Sequence, residues 1–232
     1  QEGIRGERAV QWRLVDELAP PTELLEHATR VATERAATSD RPTDAAGIRL
    51  TPLAREVDGD TIRYPNLTID LDRDGRVATL VVHAPTAAQP ATVDAIHHTG
   101  DAWWPLALCR ELDDAILHLR TNELELGTWV FRTTGDADAV LAADEVMAAH
   151  AKDWLVREVA LYWQRTLKRL DTTSRSLFAM VEPDSCFVGT LAELVLAADR
   201  GYMLEGTFED PAEDAYLPLD DDHAPATIEL SA

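Results

Sequence analysis

Cysteine is nearly absent. Cys109 and Cys186 are the only two in 232 residues, too few and too far apart for a disulfide framework or a Cys-based zinc site. A reducing, cytoplasmic setting is therefore expected. Lysine is as scarce, with Lys152 and Lys168 alone. Positive charge is short overall: Lys+Arg number 21 against 42 Asp+Glu, for a net charge of −21. A surface this acidic repels nucleic acid and anionic lipid, so neither is an expected partner. No apolar run approaches the roughly 18 residues of a membrane span, and no basic-then-apolar leader is present. The chain does not begin with Met. It opens inside a patterned segment and closes just past Ile228-Glu229-Leu230 without a stop signal, so a fragment cut at both ends is expected. There is no Gly-x-Ser-x-Gly, no phosphate loop and no dinucleotide fingerprint. What remains is ordinary globular composition, 46% hydrophobic and 27% charged, long enough for one large domain or a domain plus pieces.

The patterning gives an element order. Arg8 to Leu18 carries Val10, Leu14, Val15 and Leu18 at helical spacing, stopped by Pro20-Pro21. Thr22 caps a second helix bearing Leu24, Leu25, Ala28 and Val31. From Thr38 to Asp60 the pattern dissolves into a linker. Leu67, Ile69 and Leu71 then alternate with polar residues, Asp74-Gly75 follows, and Val77 to Val82 returns. This predicts a β-hairpin. Pro85 to Asp101 reads as a loop. Beyond it, Pro105 opens a helix, Thr128 to Phe131 is β-prone, and Ala137–His150 and Trp154–Leu170 are helical. Leu177–Val181 is a strand, Leu191–Ala198 a short helix, and Tyr202-Met203-Leu204 a strand. The alternation predicts an α/β fold with a parallel layer behind the hairpin. Glu205 to His223 is acidic and reads as a surface loop.

Several side chains invite a functional reading and have a plainer one. Asp70 to Gly75 opens like a calcium-binding EF-hand loop, but the twelfth position, where a bidentate Glu belongs, is Val81. A hairpin with water-facing carboxylates is favoured. His97-His98 is an adjacent pair with no third metal ligand at helical spacing, and a solvated loop is favoured. His118 and His150 read as surface or satisfied helix positions. Trp103, Trp104 and Trp129 read as core or interface residues before ligand-stacking ones. Cys109 reads as buried and inert, and Cys186 has no neighbouring base to activate it. No metal site is expected.

One constellation stands out. The strand Ser176–Glu182 enters a loop that reaches Gly189-Thr190, and then the helix Leu191-Ala192-Glu193-Leu194-Val195-Leu196-Ala197-Ala198-Asp199. A helix start offers free N–H groups to an oxyanion. Glu193, one turn in, could move a proton beside a thioester held there. The plainer reading is a buried crossover helix with Glu193 in a structural pair.

That run resembles the signature of the crotonase (enoyl-CoA hydratase/isomerase) superfamily, with Glu193, Leu194, Leu196, Ala197 and Asp199 matching it. Glu193 falls where hydratases keep a catalytic glutamate. Thr190 stands in place of the glycine whose N–H forms half of the oxyanion hole. The opening Gly6–Glu17 resembles the superfamily's late segment, and Asn66–Pro85 its first strands. The whole therefore resembles a tandem arrangement. That resemblance implies a crotonase-like ββα spiral fold in which residues 1–38 end one unit, 39–64 link, and 65–232 form a degenerate, incomplete second unit. Trp103–Leu106, Glu111–Glu123 and Ser174–Ala179 are specifically similar to the benzoyl-CoA-dihydrodiol lyase family. That resemblance implies an enzyme that opens the ring of 2,3-epoxybenzoyl-CoA with water, giving 3,4-dehydroadipyl-CoA semialdehyde and formate in aerobic benzoate degradation. It implies an acyl-CoA substrate, no cofactor and a homodimer. It places the active site in the first unit, so this stretch is expected to be mainly scaffold and inactive alone, with Glu193 the only candidate catalytic residue. The alternatives are a divergent hydratase or isomerase using Glu193, and a non-catalytic dimerisation module.

Overall fold

The structure is a computed structural model that describes residues 3–39, 46–205, 207–208, 216–217 and 226–230. The chain divides at Gly47/Ile48 into two compact units.

The first unit carries helices α1 (Glu7–Gln11) and α2 (Leu24–Ala37). The helix predicted over Arg8–Leu18 stops early. Arg13 takes φ +56°, its N–H donates to the Val10 carbonyl, and the Leu14 N–H reaches back to Ala9. These two bonds close the helix as a Schellman turn, with arginine in the left-handed position usually given to glycine. Leu14, Val15 and Leu18 therefore leave the helix and are exposed, and α2 buries no residue.

The second unit is built on a seven-stranded sheet with strands in sequential order. They are β1 (Glu56–Asp58), β2 (Thr61–Arg63), β3 (Leu67–Asp72), β4 (Val77–His83), β5 (Thr128–Thr134), β6 (Ser176–Val181) and β7 (Arg200–Met203). β1 to β4 pair antiparallel and β4 to β7 parallel. The expected hairpin and parallel layer thus share one sheet. Part of the stretch expected to be linker is regular: β1 and β2 pair across Gly59, which holds φ +58°. Alternation sets the faces. Leu67, Ile69, Leu71, Ala78, Leu80, Val82, Trp129, Phe131, Leu177, Ala179 and Val181 all point to the buried side. On the other side Val81, Val130, Phe178 and Met180 are only half-buried.

Three long helices follow the pattern: α4 (Trp104–Asn122), α5 (Ala137–Ala149) and α6 (Trp154–Asp171). Pro105 sits in the first turn of α4, where its missing N–H costs nothing. Leu108, Leu112, Ala115, Ile116 and Leu119 form the buried stripe of α4, in one core with Leu155, Val159 and Trp163 of α6. The Trp163 indole N–H donates to the Pro105 carbonyl at 2.8 Å. The loop expected over Pro85–Asp101 contains a helix, α3 (Val93–Thr99), whose start is capped by the Thr92 hydroxyl. A 3-10 turn (Gly189–Leu191) leads into α7 (Ala192–Ala197). Thr207–Phe208 (β8) pairs with Tyr216–Leu217 (β9). The rest of the acidic stretch Glu205–His223 lies, for the most part, outside the described residues. No described helix is long and apolar enough to cross a membrane.

Candidate functional site

The α/β architecture makes the carboxyl ends of the parallel strands the place to look for chemistry. β4, β5 and β6 end there at His83, Thr134 and Val181. The loop after β4 is tied to β5, since the Ala84 N–H donates to the Thr134 carbonyl at 2.9 Å. Gly135 follows with φ +118°, and a Cβ there would come within 2.7 Å of the Ala84 Cβ. A glycine is required by both backbone angle and space. These strand ends border a cavity of about 410 Å³, lined among others by Ala84, Pro85, Thr86, Asp136, Ala139 and Ala142. Among the described residues Asp136 is the one titratable group in its wall. That carboxylate already caps α5 by accepting the Asp138 N–H at 2.9 Å. The cavity therefore has shape without an available acid–base pair.

The turn at Gly189-Thr190 is where the sequence offers N–H groups to an oxyanion. The structure gives each of them a partner. The Gly189 N–H donates to the Glu229 carbonyl at 2.8 Å and the Leu191 N–H to Val188 at 2.9 Å. The Thr190 N–H donates to Asp144 Oδ2 at 2.6 Å, and the Thr190 hydroxyl to Asp144 Oδ1 at 2.6 Å. The chain's own carboxylate, carried on α5, thus sits where an external oxyanion would have to sit. The approach is close: a Cβ on Gly189, which holds φ +50°, would lie 1.9 Å from Asp144 Oδ2. Glu193 is exposed on α7, between the buried Ala192 and Leu194. Among the described residues no hydrogen bond or ion pair draws its carboxylate to the closed turn.

Burial pushes the Asp144 carboxyl above the usual carboxylate range, opposed by the two hydrogen bonds from Thr190. The sign of the consequence follows by linkage. A carboxyl whose folded value is raised contributes stability that is full below its unfolded value and lost as pH rises through the folded one. The stability lead of the natural chain over Asp144→Asn is therefore expected to shrink from pH 4 to pH 7. Urea titrations at the two pH values check this, and a lead that grows with pH would contradict it.

The other residues singled out in the sequence fall into structural roles. Trp103, Trp104 and Trp129 are all buried, and the Trp104 indole N–H donates to the His83 carbonyl at 3.1 Å. The hairpin turn after β3 uses Asp72 internally, as acceptor of the Gly75 N–H at 2.7 Å. His97 and His98 are on α3 instead of in a loop. His97 Nε2 lies 3.0 Å from both oxygens of Asp153 and its ring is 5.5 Å from that of Trp154. Asp153 in turn caps α6 through the Leu155 and Val156 N–H groups, so the pair joins two helix ends. His118 is half-buried, its Nδ1 3.1 Å from Asn122 Nδ2, and His150 faces the Ala91 carbonyl at 3.2 Å. Among the described residues no three His, Cys, Asp or Glu side chains converge on a point that could hold a metal ion.

Both cysteines are buried. Burial pushes the Cys109 thiol up to about 12 and raises that of Cys186 as well. A thiol needs its thiolate form to react. Both thiols are expected to stay silent to a disulfide reagent at pH 8 in the folded chain and to titrate fully in urea. A fast-reacting native thiol would show that one of the two helices or loops opens readily.

No family model matches the sequence. Among solved structures, an enoyl-CoA hydratase from Geobacillus kaustophilus HTA426 superposes with a TM-score of 0.38 at 14% identity, over 60% of this chain and 46% of that one. A structure from Pseudomonas aeruginosa superposes with a TM-score of 0.37 at 14% identity, over 70% and 61%. Neither bears on the fold, which stands on its own strand order. The informative similarity is in sequence: the chain is 50% identical over 204 residues, 88% of its length, to benzoyl-CoA-dihydrodiol lyase of Aromatoleum evansii, and spans 37% of that protein.

Proposed function

We propose that this chain is part of a lyase acting on a CoA thioester, within a benzoyl-CoA-dihydrodiol lyase, and that its own stretch serves mainly as scaffold. The observation that carries the reading is the 50% identity over nearly the whole chain. In this reading the complete enzyme opens 2,3-epoxybenzoyl-CoA with water and releases formate. It is cytoplasmic, needs no cofactor and works as a homodimer. The crotonase-like unit of which residues 1–38 form the end supplies the chemistry, and the second keeps a crotonase-like framework whose thioester cradle is out of use. Two features of the second unit support that division of labour. The Thr190 N–H is held by Asp144, and Glu193 is exposed and lines neither of the two cavities at the strand ends.

Formate release from 2,3-epoxybenzoyl-CoA tests the proposal. The chain alone is expected to release none, while the full-length enzyme does. In the full-length enzyme Glu193→Gln is expected to leave kcat/KM within about twofold, whereas loss of a general acid–base group costs about 10²–10⁴-fold. Turnover by the chain alone, or a hundredfold loss in Glu193→Gln, would overturn the scaffold role.

A further inference from the structure

The two edges of the seven-stranded sheet differ in kind. β1 ends the sheet on one side with Glu56, Val57 and Asp58, a three-residue strand whose two carboxylates discourage further pairing. β7 ends it on the other side with Arg200, Gly201, Tyr202 and Met203. Beyond the arginine at its start it has none of the usual guards, neither proline, lysine nor carboxylate. All four of its residues are exposed.

That exposure is out of keeping with the strand's place in the sheet. Met203 pairs with Val181 and Gly201 with Ala179, so both lie on the core face, where Val181 and Ala179 are buried. Met203 is nonetheless 52% exposed. On the opposite face Tyr202 is also 52% exposed, its ring 6.1 Å from that of Phe178. α7 reaches as far as Gly201, since a Cβ there would meet Val195 at 3.5 Å, and its next residue, Leu196, is 67% exposed. Strands of a parallel sheet are ordinarily covered on both faces. The backbone is open too. The Leu204 N–H donates to the Val181 carbonyl at 2.9 Å. By alternation the Arg200 and Tyr202 N–H groups also face β6, and the N–H and C=O groups of Gly201 and Met203 face away from it. Among the described residues no strand pairs with β7 on that side.

We infer that the open side of β7 is the docking edge for a further β-strand, apolar on both faces, supplied by the part of the enzyme's own polypeptide outside these 232 residues. The inference rests on the reading of this chain as part of a longer lyase, and the relative it matches is long enough to supply such a strand, since the chain spans 37% of it. A second copy of the chain fits this edge less well. Four residues of edge fall far short of the roughly 800 Å² and about 20–30 residues per partner that a stable association buries. A strand of the same polypeptide loses no translational freedom on docking and does not need that area.

Amide hydrogen exchange over residues 200–204 tests this, in the chain alone and in the full-length enzyme. The Gly201 and Met203 amides are expected to exchange freely in the chain and at least about a hundredfold more slowly in the full-length enzyme. Met203→Pro removes an N–H that faces the open side and keeps the ladder to β6. It is expected to leave the urea midpoint of the chain little changed and to lower that of the full-length enzyme. Free exchange of both amides in a full-length enzyme that releases formate would overturn the docking edge and leave the enzyme reading standing. Slow exchange in a full-length protein that releases no formate would support the edge and sink that reading. Slow exchange already in the chain alone would overturn the inference, pointing to a second copy if it grows with concentration and to the chain's own residues if it does not. An unchanged midpoint for Met203→Pro in the full-length enzyme would overturn it as well.

Discussion

Asp144→Ala is expected to lower the unfolding free energy by about 2–3 kcal/mol. The carboxylate holds the Thr190 N–H and the Thr190 hydroxyl, each at 2.6 Å. Hydrogen bonds to charged groups contribute about 1.5–3 kcal/mol each, and a buried donor left without an acceptor costs its full desolvation. Alanine removes both acceptors at once. Water entering the half-buried space recovers part of the loss, so the expectation is set below the sum of two bonds. Asp144→Asn keeps one carbonyl acceptor but turns an N–H toward a donor, and is expected to fall between the natural chain and Asp144→Ala. Gly189→Ala attacks the same contact from the other side, because its Cβ would overlap Asp144 Oδ2 and its backbone sits at φ +50°. If the three variants report one contact, Asp144→Ala and Gly189→Ala combined should cost less than their sum by about 1 kcal/mol or more. Chemical denaturation of the two single variants and the double variant measures this. Strict additivity, or a loss below about 0.5 kcal/mol for Asp144→Ala, would mean that the Thr190 turn closes without its carboxylate.

The contact also shows where reading the sequence runs out. Strand and helix patterns needed only local information. Alternation in Leu67–Leu71 and the Asp74-Gly75 turn gave the hairpin, and the spacing of Leu108, Leu112, Ala115 and Leu119 gave α4. The helix α3 was legible as well, since Thr92 with Asp94 behind it is a capping pattern. The stretch around it is rich in Ala, Thr and Pro, the composition of a loop. The early stop of α1 was not legible, because the arginine at φ +56° carries no turn signature of the kind glycine does. β1 and β2 are three residues each, too short for periodicity to register. The site is a different matter. Gly189, Thr190 and Glu193 are found by local pattern. Asp144, 46 residues earlier on an Ala-rich helix, looks like any solvated carboxylate. A tertiary contact decides whether the Thr190 N–H is free, and a chain read residue by residue does not contain that fact.

The largest loss of stability is expected from Phe131→Ala, at about 3–5 kcal/mol. Phe131 lies in β5, fully buried, with Leu80 of β4 and Ala179 of β6 as its cross-strand neighbours. Its side chain belongs to the core that also holds Leu112 and Ile116 of α4 and Val159 of α6. Truncation removes the transfer free energy of a phenyl ring and leaves a cavity that paired strands on both sides cannot close. Ala179 is already small, so the neighbouring strand has no bulk to move into the gap. Phe131→Leu keeps most of the volume and is expected to cost below about 1.5 kcal/mol. Leu25→Ala, on α2 and 81% exposed, is expected to stay within about 0.5 kcal/mol. The three together separate hydrophobicity from packing, since Leu25 and Phe131 are both apolar and differ in what surrounds them. The consequence reaches the strand ends, because β5 carries Thr133, whose hydroxyl accepts the Cys186 N–H at 2.8 Å, and leads into Gly135. Loosening β5 is therefore expected to expose Cys186, and Phe131→Ala should react with a disulfide reagent faster than the natural chain. Urea titration with thiol counting measures both effects. A Phe131→Ala variant as stable as Leu25→Ala, with Cys186 still silent, would remove β5 from the centre of the core.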